Sequence, residues 1–295
     1  MRSLLHSFSM PARRALRYAV GFSIFLGGCV LLLIQANAII DPQIRHALHG
    51  GLLCALGTAL GTLPVLFMRE VSRRVTSVLL GFGGGVMLAA TVFSLLIPAL
   101  QSAEGLGFSP WGAGFLASLG VIIGTSALFG LGRLLPQSNL EPDELGRQPL
   151  SPRVLLFVIA VVLHNIPEGM AVGVSAGAGL AGADSLALGI ALQDLPEGLI
   201  ISLVLLSAGM GRGRALLIGA ASGLVEPLFA VICAWLVGVS ALLLPWGLAM
   251  AAGAMLFAVT HEIIPESHRR GHETEASMGL VLGFCLMMVM DTALA

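Results

Sequence analysis

Two short polar stretches in an otherwise apolar chain have residue types and spacing suited to holding a divalent cation. His164-Asn165-Ile166-Pro167-Glu168-Gly169 and Gln193-Asp194-Leu195-Pro196-Glu197-Gly198 share one template, polar-polar-aliphatic-Pro-Glu-Gly, and the second begins 29 residues after the first. Residues three and four apart on a helix share a face. Glu168 therefore stands beside His164 and Asn165, and Glu197 beside Gln193 and Asp194. Two such helices facing one another make a cage with two bridging carboxylates. Glu226 can close it, with Ser222 one turn earlier. Imidazole with carboxylates and no sulfur suits Zn²⁺, Mn²⁺, Fe²⁺ or Co²⁺, with Cd²⁺ as a mimic. Ca²⁺ and Mg²⁺ prefer oxygen alone, so His164 is the discriminating donor.

The setting makes these residues conspicuous. The 295-residue chain is 57% hydrophobic and 11% charged, with a mean hydropathy of +0.96. A soluble domain carries about 25% charged residues, so this is an integral membrane protein. Glu168, Asp194, Glu197, Glu226, Glu262 and Asp291 all fall inside apolar segments. A centred intramembrane carboxylate costs about 2.5–3.5 kcal/mol on insertion scales. All 15 basic residues are Arg, and each lies in a loop or at a helix end. Internal ion pairing cannot offset the acids. Either they are protonated or external cations occupy the site, and acids so placed usually mark ion or proton pathways. The bland alternative is polar side chains that only tie helices together; one His, several carboxylates and two amides at helical spacing are more specific than that.

Apolar segments long enough to cross a core of about 30 Å fall at 17–40, 47–68, 77–100, 109–135, 153–179, 185–209, 213–238, 243–269 and 274–295. In lipid each must satisfy its own backbone, so helices are expected throughout. Alternate loops are basic and only Arg45 falls on the other side. This places the N-terminus in the cytoplasm and Ala295 outside. The expected divisions are 1–40, a cytoplasmic N-terminus and an extra helix; 47–135, three helices; 136–152, a polar cytoplasmic loop; 153–209, two central helices; and 213–295, three more. The first segment also resembles a cleavable signal peptide or a lipoprotein processing site, although its apolar run is longer than usual. Pro167, Pro196 and Pro227 should loosen the carbonyls of Leu163, Leu192 and Gly223, as in the broken helices of transporters. Cys29, Cys54, Cys233 and Cys285 each stand alone in apolar segments and read as packing residues. Nothing suggests nucleic acid.

Further candidates lie near the helix ends. His261-Glu262-Ile263-Ile264-Pro265 departs from the His-Glu-x-x-His of zinc proteases at its fifth position. With His268, His272 and Glu273 it reads as a cytoplasmic-side metal relay, or as a solvated helix end. Asp291 near the outer face can attract cations, or cap or pack its helix. Met87 and Ser94 share a face consistent with a pathway lining, with core packing the plainer reading for Met87.

The paired motifs, followed by Glu226-Pro227 and His261-Glu262, resemble the ZIP family of divalent metal transporters, in its bacterial GufA-like branch. The resemblance runs from about residue 47 to 295. It implies an all-α integral membrane fold with eight core transmembrane helices, 3+2+3 with inverted repeats, beside the extra N-terminal helix. It implies a multi-pass protein of the plasma membrane, the bacterial inner membrane, embedded in lipid and paired as a homodimer. It implies a binuclear centre: His164, Glu168, Gln193 and Glu197 at one site, Asn165, Asp194 and Glu226 at the second, Glu168 and Glu197 bridging. His261, Glu262 and His272 match exit-side metal positions, and Ser94 and Asp291 positions near the entrance. An elevator-like shift of the metal-bearing helices is implied as well. The 136–152 loop has no His, unlike that of many eukaryotic members.

The expected function is a secondary transporter, not an enzyme, moving Zn²⁺ (with Cd²⁺, Fe²⁺ and Mn²⁺ as further substrates) into the cytoplasm, with no organic cofactor. The alternatives are a proton-coupled carrier of another substrate, and an intramembrane metallohydrolase, for which no nucleophile or general-base motif is apparent.

Overall fold

The computed structural model describes residues 41–67, 72–133, 152–268 and 271–294. The expected segment 17–40 and nearly all of the 136–152 loop lie outside them. Among the described residues every regular element is a helix. The chain forms α1 (Pro42–Leu66), α2 (Arg73–Gly105), α3 (Pro110–Arg133), α4 (Pro152–Gly177), α5 (Ala183–Ser207), α6 (Arg212–Val239), α7 (Leu243–His268) and α8 (Glu273–Ala293). All but α4 meet length and hydropathy criteria for crossing a membrane over their described residues. With 26 residues α4 is about 39 Å long at 1.5 Å per residue, which also suffices.

Local sequence sets the ends. The Asp41 carboxylate accepts from the Gln43 amide at 2.8 Å, and Ser72 Oγ from Val75 N at 3.3 Å, capping α1 and α2. Helices α4 and α5 end alike, with Gly179 and Gly209 at positive φ. The next amides, Leu180 and Met210, reach back to Ser175 O (3.0 Å) and Leu205 O (3.2 Å). This closes the terminal carbonyls where a side chain would be strained.

The helices pack as two four-helix units: α1, α4, α5 and α6 in one, and α2, α3, α7 and α8 in the other. Inside each unit glycines bring backbones together. Gly57 and Gly61 of α1 lie on the Ala191 and Leu195 carbonyls of α5; Gly173 and Gly177 of α4 lie on Ala230 and Ala234 of α6. In the second unit Gly81 and Gly85 of α2 meet Ala276 and Leu280 of α8, and Gly124 of α3 meets Met250 of α7. The units meet along α2–α5, α4–α7 and α5–α8. There the facing glycines Gly83, Gly189 and Gly247 meet side chains instead, those of Gln193, Met287 and Val174.

Two expectations about helix shape need correction. The helix is not broken at Pro167 or Pro196; α4 and α5 run straight through both. Only α6 breaks, into Arg212–Ser222 and Val225–Val239. The Gly223 carbonyl is not freed by that break, since it accepts from Glu226 N at 3.1 Å. The reason is the residue four before each proline: Leu163 and Leu192 favour helix, whereas Gly223 costs about 0.8–1.0 kcal/mol relative to Ala in a helix interior. Conversely, α2 and α7 each contain an unexpected π-helical stretch, Ala90–Leu96 and Val259–Ile263. Each ends just before an Ile-Pro pair, Ile97-Pro98 and Ile264-Pro265. Such wide turns often occur at functional sites; here they hold Ser94, His261 and Glu262.

Candidate metal centre

Four helices of the first unit converge on a buried polar cluster. His164, Asn165 and Glu168 come from α4; Gln193, Asp194 and Glu197 from α5; and Glu226 from the start of the second half of α6. Glu168, Gln193 and Glu226 are fully buried, and Asn165 and Asp194 nearly so.

Two carboxylates are held in the same way. Glu226 Oε1 accepts from Asn165 Nδ2 (3.1 Å) and from Thr58 Oγ1 of α1 (3.2 Å), while its Oε2 has no partner. Glu168 Oε1 accepts from Gln193 Nε2, while its Oε2 has none. Each glutamate is thus fixed by one oxygen and presents the other. Both oxygens of Asp194, one of Glu197, and the amide oxygens of Asn165 and Gln193 are likewise buried without a hydrogen-bond donor. His164 Nε2 lies 3.6 Å from Glu197 Oε1, and its Nδ1 3.3 Å from Glu262 Oε2 of α7. Buried polar atoms are normally satisfied, and nearly all of these orphans are acceptors. A bound cation meets that demand, as does protonation of the carboxylates.

The ligand atoms fall into two sets, each mutually within 4.8 Å: His164, Glu168 and Glu197 in one, and Cys54, Asp194 and Glu226 in the other. The motif residues expected from the sequence are therefore brought together. Cys54 and Thr58 were missed. They lie one helical turn apart on the glycine face of α1, and that spacing was the available signal.

The remaining candidates separate. Glu262 reaches the cluster edge, half exposed. The exposed His261 instead stacks on Phe257, with ring centroids 4.8 Å apart. His272 Nδ1 is 3.9 Å from Glu275, which also pairs with Arg74 at 3.0 Å. Ser94 Oγ donates to Asp291 Oδ1 at 2.6 Å, joining the π-helical turn of α2 to α8. The side chain of Met87 is fully buried in the core. At the far end of α1, His46 Nε2 lies 2.6 Å from Asp184 Oδ1, an exposed pair the sequence did not suggest.

Comparison with known proteins fits this geometry. A model of the family described as ZIP Zinc transporter matches residues 137–291. The chain is 42% identical over 282 residues to Zinc transporter ZIPB of Bordetella bronchiseptica, covering 93% of this chain and 91% of that protein. It is 41% identical to Zinc transporter GufA of Myxococcus xanthus, covering 84% of this chain and 98% of that one. Zinc transporter ZIP11 of Homo sapiens is 31% identical, with 80% and 94% covered.

Proposed function

Because the chain belongs to the ZIP family of zinc transporters, we propose that it carries Zn²⁺ across the membrane into the cytoplasm through the cluster between α4, α5 and α6. The observation that carries this reading is the set of buried acceptors without donors, converging from the paired motifs. His164, Glu168, Gln193 and Glu197 hold one ion. Asn165, Asp194 and Glu226 hold a second, and Glu168 and Glu197 bridge the two. Gln193 and Asn165 keep their glutamates oriented so that one oxygen of each stays available. Glu262, His261 and His272 mark the route out toward the cytoplasm, and Ser94 with Asp291 the outer approach. The donor set also admits Cd²⁺, Fe²⁺ and Mn²⁺.

Alternating access arises from movement of the α1, α4, α5 and α6 unit against the α2, α3, α7 and α8 unit. Its support is a difference in packing: among the described residues every glycine that lies on another helix's backbone does so within a unit, while the seam glycines Gly83, Gly189 and Gly247 meet side chains. A rigid body sliding over a side-chain surface is an elevator. The second unit would serve as the scaffold of a homodimer, and α3 carries a strongly exposed apolar face, Trp111 and Phe115 among it.

The test is uptake into proteoliposomes that hold a fluorescent chelator, with Zn²⁺, Cd²⁺, Mn²⁺, Fe²⁺ and Mg²⁺ compared in wild type and His164→Ala. Saturable Zn²⁺ or Cd²⁺ flux that the substitution impairs is expected, with no Mg²⁺ flux. Absence of flux for every metal would overturn the reading, and transport of another solute unaffected by chelators would favour a proton-coupled carrier.

A further inference from the structure

Cys54 is the one member of the two ligand sets that neither the paired motifs nor the division into two sites uses. It is fully buried on α1, and its sulfur lies within 4.8 Å of carboxylate oxygens of both Asp194 and Glu226. Among the described residues its one hydrogen bond is donated to the Ala187 carbonyl at 3.4 Å, an ordinary length for sulfur, which leaves the sulfur lone pairs free. Both oxygens of Asp194 and Oε2 of Glu226 are buried beside it with no donor. A cysteine kept for packing gains nothing from facing two carboxylates. Cys233, on α6, joins no such group, and Cys285 is exposed.

We propose that Cys54 is a metal ligand, its thiolate joining Asp194 and Glu226 in a sulfur-containing cation site that biases the chain toward thiophilic divalent ions. The inference rests on the cation-binding reading above. Zinc bonds of about 2.3 Å to sulfur and about 2.0–2.2 Å to oxygen put tetrahedral sulfur and oxygen donors about 3.6 Å apart, within the separation these atoms already allow. As the metal–sulfur bond forms, the S–H bond breaks and its proton leaves to water, one proton for each ion bound through sulfur. A thiolate ranks Cd²⁺ and Zn²⁺ well above Mn²⁺ and Mg²⁺, which carboxylates and amides alone discriminate weakly. Thr58, one turn on, holds Glu226 Oε1 so that the other oxygen stays on offer.

The test is zinc X-ray absorption on the purified full-length protein loaded with Zn²⁺ in detergent. Wild type should show a sulfur neighbour at about 2.3 Å beside nitrogen and oxygen at about 2.0–2.2 Å. Cys54→Ser should lose the sulfur shell while still binding zinc, and Cys29→Ser, Cys233→Ser and Cys285→Ser should keep it. In competition binding, Cys54→Ser should lose about tenfold of the preference for Cd²⁺ over Mn²⁺. Bound zinc with only nitrogen and oxygen neighbours in wild type overturns the proposal and leaves the transport reading standing, as does a sulfur shell that survives Cys54→Ser. Folded wild type that binds no zinc defeats both. The wild-type spectrum decides the matter even where a variant fails to fold.

Discussion

The two four-helix units are tied together by the same device and filled with opposite contents. In both, glycines on neighbouring helices bring backbones into contact, Gly57 on Ala191 in one and Gly124 on Met250 in the other. Yet every buried ionisable acid or histidine among the described residues (His164, Glu168, Asp194 and Glu226) belongs to α4, α5 or α6. The α2, α3, α7 and α8 unit buries Met87, Leu95, Leu248, Met255 and Met287 instead. Close glycine packing therefore builds both units, and it is indifferent to what lies inside. The first unit holds buried carboxylate oxygens without donors; the second holds no buried acid or histidine among the described residues.

This contrast can be broken at several points. The largest effect is expected from overfilling a glycine contact, because the atom a side chain would strike is backbone and cannot turn aside. Gly57→Leu and Gly124→Leu should both abolish a monodisperse folded peak in size-exclusion chromatography, since inserting extra methylenes costs about 1–3 kcal/mol and occasionally more, and here the added atoms strike backbone. If only one of them does so, the two units are not built alike. Next comes a cavity in the apolar unit. Met255→Ala should lower stability by about 2–5 kcal/mol in denaturant unfolding while Zn²⁺ stoichiometry stays unchanged; altered stoichiometry would tie the core of that unit to the site. Smaller again is the response to the ion. Zn²⁺ at about 100 times its Kd should stabilise the protein by about 2.7 kcal/mol. Hydrogen exchange should locate the added protection in α4, α5 and α6, and chelation should reverse it; equal protection of α3 and α7 would mean that the ion is not confined to one unit.

The sequence carried the helix positions well, because a bilayer leaves a chain little choice. An apolar run must satisfy its own backbone, and loops and helix ends must hold the arginines. The family, too, was legible, since His164 to Gly169 and Gln193 to Gly198 state the same ligand spacing twice. What was hidden depended on packing between distant parts of the chain. Cys54 and Thr58 look like ordinary helix residues until α1 folds against α5 and α6. The three prolines read alike, although the residue four before each separates two continuous helices from one broken helix. Ser94 and Asp291, far apart in sequence, are paired beforehand only by the family resemblance, and the fold joins them through a hydrogen bond. His261 and Glu262 are sequence neighbours, yet the π-helical turn leaves one stacked on Phe257 and the other against His164.

The most direct measurement is the initial rate of Zn²⁺ influx into proteoliposomes for wild type, Glu168→Ala and Met255→Ala, with equal folded protein in each. Loss of a fully buried carboxylate that presents an open oxygen to the cluster should reduce influx by about 100-fold or more, beyond what supporting residues of metal sites usually cost. Met255→Ala, which removes a buried α7 side chain outside the cluster, should stay within about twofold of wild type, the margin expected when a substitution touches no ligand. Undiminished influx in Glu168→Ala would contradict the assignment of the cluster as the path of the ion.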